Sequence, residues 1–131
     1  MHERLVFVGE KRSKTAQEKG YSWQECQTTG KPVLSAIRLF DALSANGLDP
    51  KLQIFLNLWR DDMNPNDAAP EILKEMAKAG ETIVAMGNKV SSELEKLGIP
   101  HKRIIHPAAR GKIANKILYR SHIKEVLFDQ E

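Results

Sequence analysis

Three short apolar runs in this chain each end on a residue able to do chemistry. Leu5-Val6-Phe7-Val8 runs into Gly9-Glu10, Ile54-Phe55-Leu56 into Asn57, and Ile104-Ile105 into His106-Pro107. A carboxylate can take a proton from water. A primary amide presents N–H donors and a C=O acceptor side by side, and an imidazole can donate, accept or change its charge. Each residue also has a plain structural use. Glu10 can pair with Lys11 or Arg12 at the surface, and an amide in so apolar a strand end can bond a neighbouring loop, because buried polar groups find partners. Pro107 ends a strand and fixes the exit of its loop whatever His106 does.

Metal chemistry has little to build on. Cys26 is the only cysteine, which leaves no disulfide framework and no set of thiolates for zinc or an iron–sulfur cluster. Asp61 and Asp62, beside Arg60, are adjacent carboxylates on a loop and make a poor cation site. The expectation is a chain without metal or other cofactor.

Positioning these residues requires strands, and four β-rich runs are expected: Arg4 to Val8, Leu52 to Leu58, Thr82 to Met86 and Arg103 to His106. Their nearly continuous apolar content suits strands covered on both faces. Each is followed by a segment of helical periodicity. Val33, Ala36, Ile37, Phe40 and Leu43 mark the first helix, which stops at Gly47. Ile72, Leu73 and Met76 precede Gly80, and Val90, Leu94 and Leu97 precede Gly98. A last helix is expected from near Arg110, carrying Ile113, Ile117 and Leu118 inward, with a break near Ser121 before Ile123, Val126 and Leu127. Such β-α alternation predicts an α/β fold, a parallel sheet with helices on both faces. Ligands then bind beyond the carboxyl ends of the strands. That rule selects Gly9 to Gly30, Asn57 to Asp67, Gly87 to Lys89 and His106 to Arg110. The first of these is a long polar loop that includes Tyr21 and Trp23, and loops of that length usually carry function.

The chain has 131 residues, within the range of one domain spanning 1–131. Its formal charge of +3 permits an acidic partner such as nucleic acid without demanding one. Met1 leads into too few apolar residues for a signal-peptide core, and no apolar run reaches membrane-spanning length. A cytoplasmic protein with no membrane partner is expected.

In order and position, these elements resemble the uracil-DNA glycosylase superfamily, especially its short bacterial and archaeal branches. Val8-Gly9-Glu10-Lys11-Arg12-Ser13 resembles motif A, where Gly-Glu-x-Pro-Gly is common. Thr29-Gly30-Lys31-Pro32-Val33 is similar to the family's Gly-x-Pro-Phe. Leu56-Asn57-Leu58 resembles the strand-end asparagine that reads the base, Ile83-Val84-Ala85-Met86-Gly87 the apolar strand and glycine, and His106-Pro107-Ala108-Ala109-Arg110 motif B. The resemblance spans residues 5 to 110. It implies a three-layer α/β/α sandwich with a four-stranded parallel sheet of order 2-1-3-4, acting as a monomer on DNA that contains uracil or a damaged pyrimidine.

The resemblance also implies roles. His106 would donate to the base O2 as negative charge develops on the leaving pyrimidine. Asn57 would match the O4 acceptor and N3–H donor of uracil, and Glu10 would orient or activate the water. Gly9, Val33 and Gly87 would line the base pocket. Arg110, in the loop from which family members push a side chain into the vacated stack, would contact DNA together with Lys112 and Lys116, part of a basic stripe continued by Arg120 and Lys124. Lys11 and Arg12 depart from motif A, and Val33 stands where the family has a stacking phenylalanine that Tyr21 or Trp23 could replace. The family's iron–sulfur branch needs four cysteines, which this chain lacks. The alternative implied by the same residues is a glycosylase-fold protein that binds a base, nucleotide or DNA with little or no turnover. A flavodoxin-like ligand-binding domain is disfavoured, because no glycine-rich phosphate loop follows the first strand.

Overall fold

A computed structural model of the protein describes residues 4–11, 17–18 and 34–128. Its elements are β1 (Leu5–Gly9), α1 (Leu34–Ala45), β2 (Ile54–Asn57), α2 (Ala69–Lys78), β3 (Thr82–Met86), α3 (Asn88–Lys96), β4 (Lys102–Ile104) and α4 (Lys116–Leu127). The four strands are all parallel and lie in the order β2-β1-β3-β4. Parallel neighbours need crossover connections, and the helices between them supply these. No helix among the described residues is long and apolar enough to cross a membrane.

Strand alternation divides the core into two halves. Leu5, Phe7, Phe55, Val84, Met86 and Ile104 face one way, against Leu39, Ala42 and Leu43 of α1 and Tyr119, Ile123 and Leu127 of α4. Val6, Val8, Ile83 and Ala85 face the other way, against Ala69 and Leu73 of α2 and Val90 and Leu94 of α3. All five residues of β1 are buried. The expected sandwich of helix layers around a central sheet is therefore observed, and each large apolar side chain fully withdrawn from water contributes on the order of 1.5–3 kcal/mol. Phe7 stacks on Phe55 with ring centroids 5.4 Å apart, locking β1 to β2 on the α1 side.

Several boundaries and faces differ from expectation, each for a local reason. Leu52 is not in a strand but in a 3-10 turn, Pro50–Leu52, capped by the Asp49 carboxylate on the Lys51 amide, and it is exposed. β4 runs from Lys102 to Ile104, so Ile105 and His106 lie beyond it rather than within it. In α1 the buried stripe is Leu39, Ala42 and Leu43. Ile37, two residues before that stripe and so roughly 200° around the helix, is exposed rather than inward. Ile72 likewise lies at the margin of α2, whose buried residues are Ala69 and Leu73.

The last helix departs most from the expected pattern. Lys112–Ala114 form a separate 3-10 turn, and α4 starts only at Lys116, where Asn115 caps it by accepting from the Ile117 and Leu118 amides at 2.9 and 3.2 Å. The helix continues through Ser121 without a break. Its inward stripe is Tyr119, Ile123 and Leu127, which turns Ile117 and Leu118 to the exposed side, contrary to the expectation that both point inward. Ile113 does pack on the core, as expected. Val33 and the side chain of Ala36, both assigned to the first apolar face, lie outside the described residues, as do Tyr21 and Trp23.

A buried polar residue secures the start of β1. Gln53, only 6% exposed, accepts from the Leu5 amide through Oε1 at 2.8 Å and donates through Nε2 to the Asp49 carbonyl at 2.9 Å. Gln53→Leu keeps the volume but strands a buried donor, a loss of about 1–3 kcal/mol. Urea unfolding of the variant is expected to show that loss, and an unchanged midpoint would mean that water satisfies the Leu5 amide.

Candidate functional site

Because the strands are parallel, their carboxyl ends meet along one edge in the order Asn57, Gly9-Glu10, Gly87 and His106. Gly9 pairs in register with Asn57. Past the ladder, the Leu58 and Trp59 amides donate to the carbonyls of Gly9 and Glu10 at 3.0 and 2.9 Å, which fixes the exit of β1 against that of β2. The Gly87 amide donates to the Ile104 carbonyl at 2.9 Å and fixes β3 against β4 in the same way. The two central strand ends carry glycine, so no side chain fills the edge between Asn57 and His106 at those positions.

Asn57 continues the pleat of Phe55 and so belongs to the α1 and α4 side of the sheet. Its backbone carbonyl accepts from Asn66 Nδ2 at 3.1 Å. Its Oδ1 is buried and has no hydrogen-bond partner among the described residues. A buried acceptor left without a donor costs about 1–3 kcal/mol.

His106 is held from several directions. Its Nδ1 accepts from the Ala108 amide at 3.0 Å, and its carbonyl accepts from the Ala109 amide at 2.9 Å. With Nδ1 used as an acceptor, the neutral ring carries its proton on Nε2, leaving that atom as a donor. Burial lowers the imidazole's proton affinity, and the charge of Glu10 offsets part of this. Gly87 lies beneath the ring: a Cβ there would sit 3.5 Å from His106 Cβ and 3.7 Å from Cδ2.

Glu10 is not paired with Lys11 or exposed alone. Its Oε1 accepts from Lys89 Nζ at 3.0 Å, and the same ammonium lies 4.9 Å from the centre of the Trp59 ring. Lys89 thus bridges a carboxylate and an aromatic face. Half-exposed ion pairs of this kind contribute little to stability, about 0.2–1 kcal/mol, but they do set where the carboxylate sits. Asp62, considered for metal binding, accepts instead from Arg60 Nη2 at 2.8 Å and the Asn64 amide at 3.0 Å. No group of three or more His, Cys, Asp and Glu side chains among the described residues is arranged to hold a metal ion.

Of the residues assigned to DNA, Arg110, Lys112 and Lys116 are all exposed. Arg120 is not a free cation of that stripe: it forms a two-pronged pair with Asp41, at 2.9 Å from Nε and 2.6 Å from Nη2, and this holds the Asp41 carboxyl below its usual range. Lys116, close enough to add to that effect, lines a cavity of about 110 Å³ with Ile37, Arg38, Asp41 and Tyr119. Val33, expected in the base pocket, lies outside the described residues.

The sequence alone places Lys89 in a strand-end segment without a role and gives no role to Arg38, Tyr119 or His122. Arg38 Nη1 donates to the carbonyls of Pro107 and Ala109 at 3.1 and 2.7 Å, Tyr119 Oη donates to the Ile105 carbonyl at 2.7 Å, and His122 Nε2 accepts from the Ile105 amide at 2.9 Å. Burial pushes the Tyr119 phenol above its usual range, so it remains a donor, and burial lowers His122, with Glu125 opposing. A tyrosine and a histidine three positions apart on an amphipathic helix were the available signal.

Two consequences are measurable. Gly87 has φ 98° and ψ 169°, a region open essentially to glycine. Gly87→Ala is expected to destabilise the fold by about 1–3 kcal/mol and to shift the His106 ring resonances, and an undisturbed ring would separate the two residues. Both His106 and His122 titrate lower in the folded chain than when unfolded, so the unfolded state binds more protons between the two values. Stability is therefore complete above pH ~6.5, the unfolded value, and is lost as pH falls through the folded values. Urea midpoints measured from pH 7 to pH 5 are expected to fall, and a flat profile would contradict the burial of both rings.

Neither a protein-family model nor a curated protein matches the chain, and the candidate site is defined by its own geometry.

Proposed function

We propose that this chain belongs to the uracil-DNA glycosylase superfamily and hydrolyses the N-glycosidic bond of uracil, or of a related damaged pyrimidine, in DNA after base flipping, working as a cytoplasmic monomer. The observation that carries this reading is the buried Asn57 Oδ1, without a hydrogen-bond partner among the described residues, on the same sheet edge as a His106 ring whose Nδ1 accepts from a backbone amide and whose Nε2 therefore carries the proton of the neutral form. Three strand spacings separate the two, roughly 14 Å between backbones. Gly9 and Gly87 stand at the two central strand ends between them.

In this reading the flipped base presents N3–H to Asn57 Oδ1 and O4 to Asn57 Nδ2, a pattern that cytosine inverts. As the N1–C1′ bond breaks, its electron pair passes to the base, and His106 Nε2–H donates to O2 where the charge gathers. The neutral imidazole suits that task, since Nδ1 can accept from the Ala108 amide while Nε2–H donates to the anion. Water adds to C1′ and its proton passes to Glu10. Lys89 sets the position of that carboxylate. Arg110, Lys112 and Lys116 supply phosphate contacts whose strength falls with salt.

One observation favours a second reading. Glu10 is engaged by Lys89, and Lys11 and Arg12 stand where the family often has a water-positioning Asp or Asn and a proline. Without water activation, the same edge would serve as a pocket that binds a base, nucleotide or DNA.

Uracil release under single-turnover conditions, from single-stranded and mismatched substrates, discriminates the two. Excision by the unmutated chain is expected, and its absence alongside retained DNA binding would leave only the binding reading. His106→Gln is expected to slow excision by about 10²–10³-fold, the magnitude for losing one donor to a developing anion, with a much smaller change in DNA affinity. Equal small losses in both would make His106 structural. Asn57→Asp is expected to weaken uracil excision strongly, because a carboxylate cannot donate to O4 and repels the uracil anion.

A further inference from the structure

His106 is immobilised through the backbone of its neighbours, and the groups responsible sit on helices rather than on the sheet. Ile105, the residue before it, has left β4 and makes neither of its backbone bonds to a strand. Its N–H donates to His122 Nε2 and its C=O accepts from Tyr119 Oη, at 2.9 and 2.7 Å. Both partners belong to α4, so a single rigid element grips both polar groups of one peptide-bonded residue. Tyr119 is 2% exposed and anchored in the core beside Ile123. On the far side of the imidazole, Arg38 of α1 holds the carbonyls of Pro107 and Ala109. Between these two grips lie His106 and the Ala108 amide that fixes its tautomer.

We propose that Tyr119 and His122 are positioning residues for His106: by clamping Ile105 they set the direction of the Nε2 donor, although neither is in hydrogen-bond contact with the ring they position. The two halves of the clamp differ in kind. The phenol, raised by burial, stays a donor when the medium is acidified. The imidazole holds the Ile105 amide only while its Nε2 is unprotonated, so its half opens on acidification. The groups facing His122 are Glu125 and the Tyr119 ring from its own helix, the latter with its centroid 5.9 Å away, and the Ile105 amide from the β4 side. The consequence for excision rests on the glycosylase reading, whereas the coupling between clamp and ring does not.

Amide hydrogen exchange and histidine resonances of the full chain test the clamp without reference to activity. The reporter is the Ala108 amide, which bonds His106 Nδ1 and touches neither clamp residue. Tyr119→Phe removes one hydroxyl and keeps the ring in the core. It is expected to speed Ala108 exchange by about three- to tenfold, the range for losing one net hydrogen bond, while the Phe7 and Val84 amides of the central strands exchange as before. His122→Leu is expected to act likewise. His122→Gln, which keeps an acceptor that does not titrate, is expected to restore protection and to abolish its pH dependence. Ala108 protection unchanged in both Tyr119→Phe and His122→Leu would overturn the proposal, as would an Ile105 amide shift in the unmutated protein that fails to follow the His122 titration. If excision is observed, Tyr119→Phe is expected to lower the single-turnover rate about tenfold or less at unchanged DNA affinity. If none is observed, the glycosylase reading fails and the exchange data alone decide the clamp.

Discussion

Everything at the candidate edge depends on β1 being paired in parallel on both sides. Its five residues are buried, with β2 in register on one flank and β3 on the other. A parallel ladder cannot be closed by a tight turn, so neighbouring strands are joined by crossovers, and their common direction puts every carboxyl end on the same edge. The register Gly9 with Asn57 then sets the inner half of the site. A slip of one residue would turn Asn57 to the opposite face and replace it with Leu56 or Leu58.

Desolvation does most of the remaining work at that edge. Burial lowers both His106 and His122, holding the imidazoles neutral where a free histidine would be partly charged, and it raises the Tyr119 phenol so that it stays a donor. The three effects are compatible because each group is used in the protonation state that burial favours. His106 accepts at Nδ1 from a backbone amide, His122 accepts at Nε2 from another, and Tyr119 donates to a carbonyl. The charged groups occupy half-exposed positions instead, as Glu10 with Lys89 and Asp41 with Arg120. Ionised side chains left there keep part of their hydration, and the interior carries the neutral bonds.

The two ends of the last connection illustrate why an apolar pattern can be read in two ways. Ile113, Ile117 and Leu118 have helical spacing, but so do Tyr119, Ile123 and Leu127, and only one stripe can face the sheet. Asn115 decides it by starting α4 at Lys116, and the preceding 3-10 turn breaks the phase with Ile113. In α1 the same ambiguity leaves Ile37 outside while Leu39 and Leu43 go in. The role of Gln53 is illegible in sequence for a related reason: nothing in Leu52-Gln53-Ile54 announces that the amide is buried against the Leu5 backbone rather than solvated.

What the amino-acid order determined by itself was the alternation of strand and helix, and with it the strand-end positions of Glu10, Asn57, Gly87 and His106. Those follow from local physics: β-rich apolar runs, helical periodicities and glycine stops act over a few residues, and polar residues that interrupt an apolar run mark its end. The tertiary structure alone decided which groups hold those residues. Lys89 reaches Glu10 across 79 positions, Arg38 reaches Ala109 across 71, and Tyr119 and His122 reach Ile105 from the next helix. Such bonds depend on the relative placement of packed helices, which is set by the whole core at once. No short stretch of sequence contains that information, because the energy of a side-chain-to-backbone bond depends on distance and angle in space and not on separation along the chain.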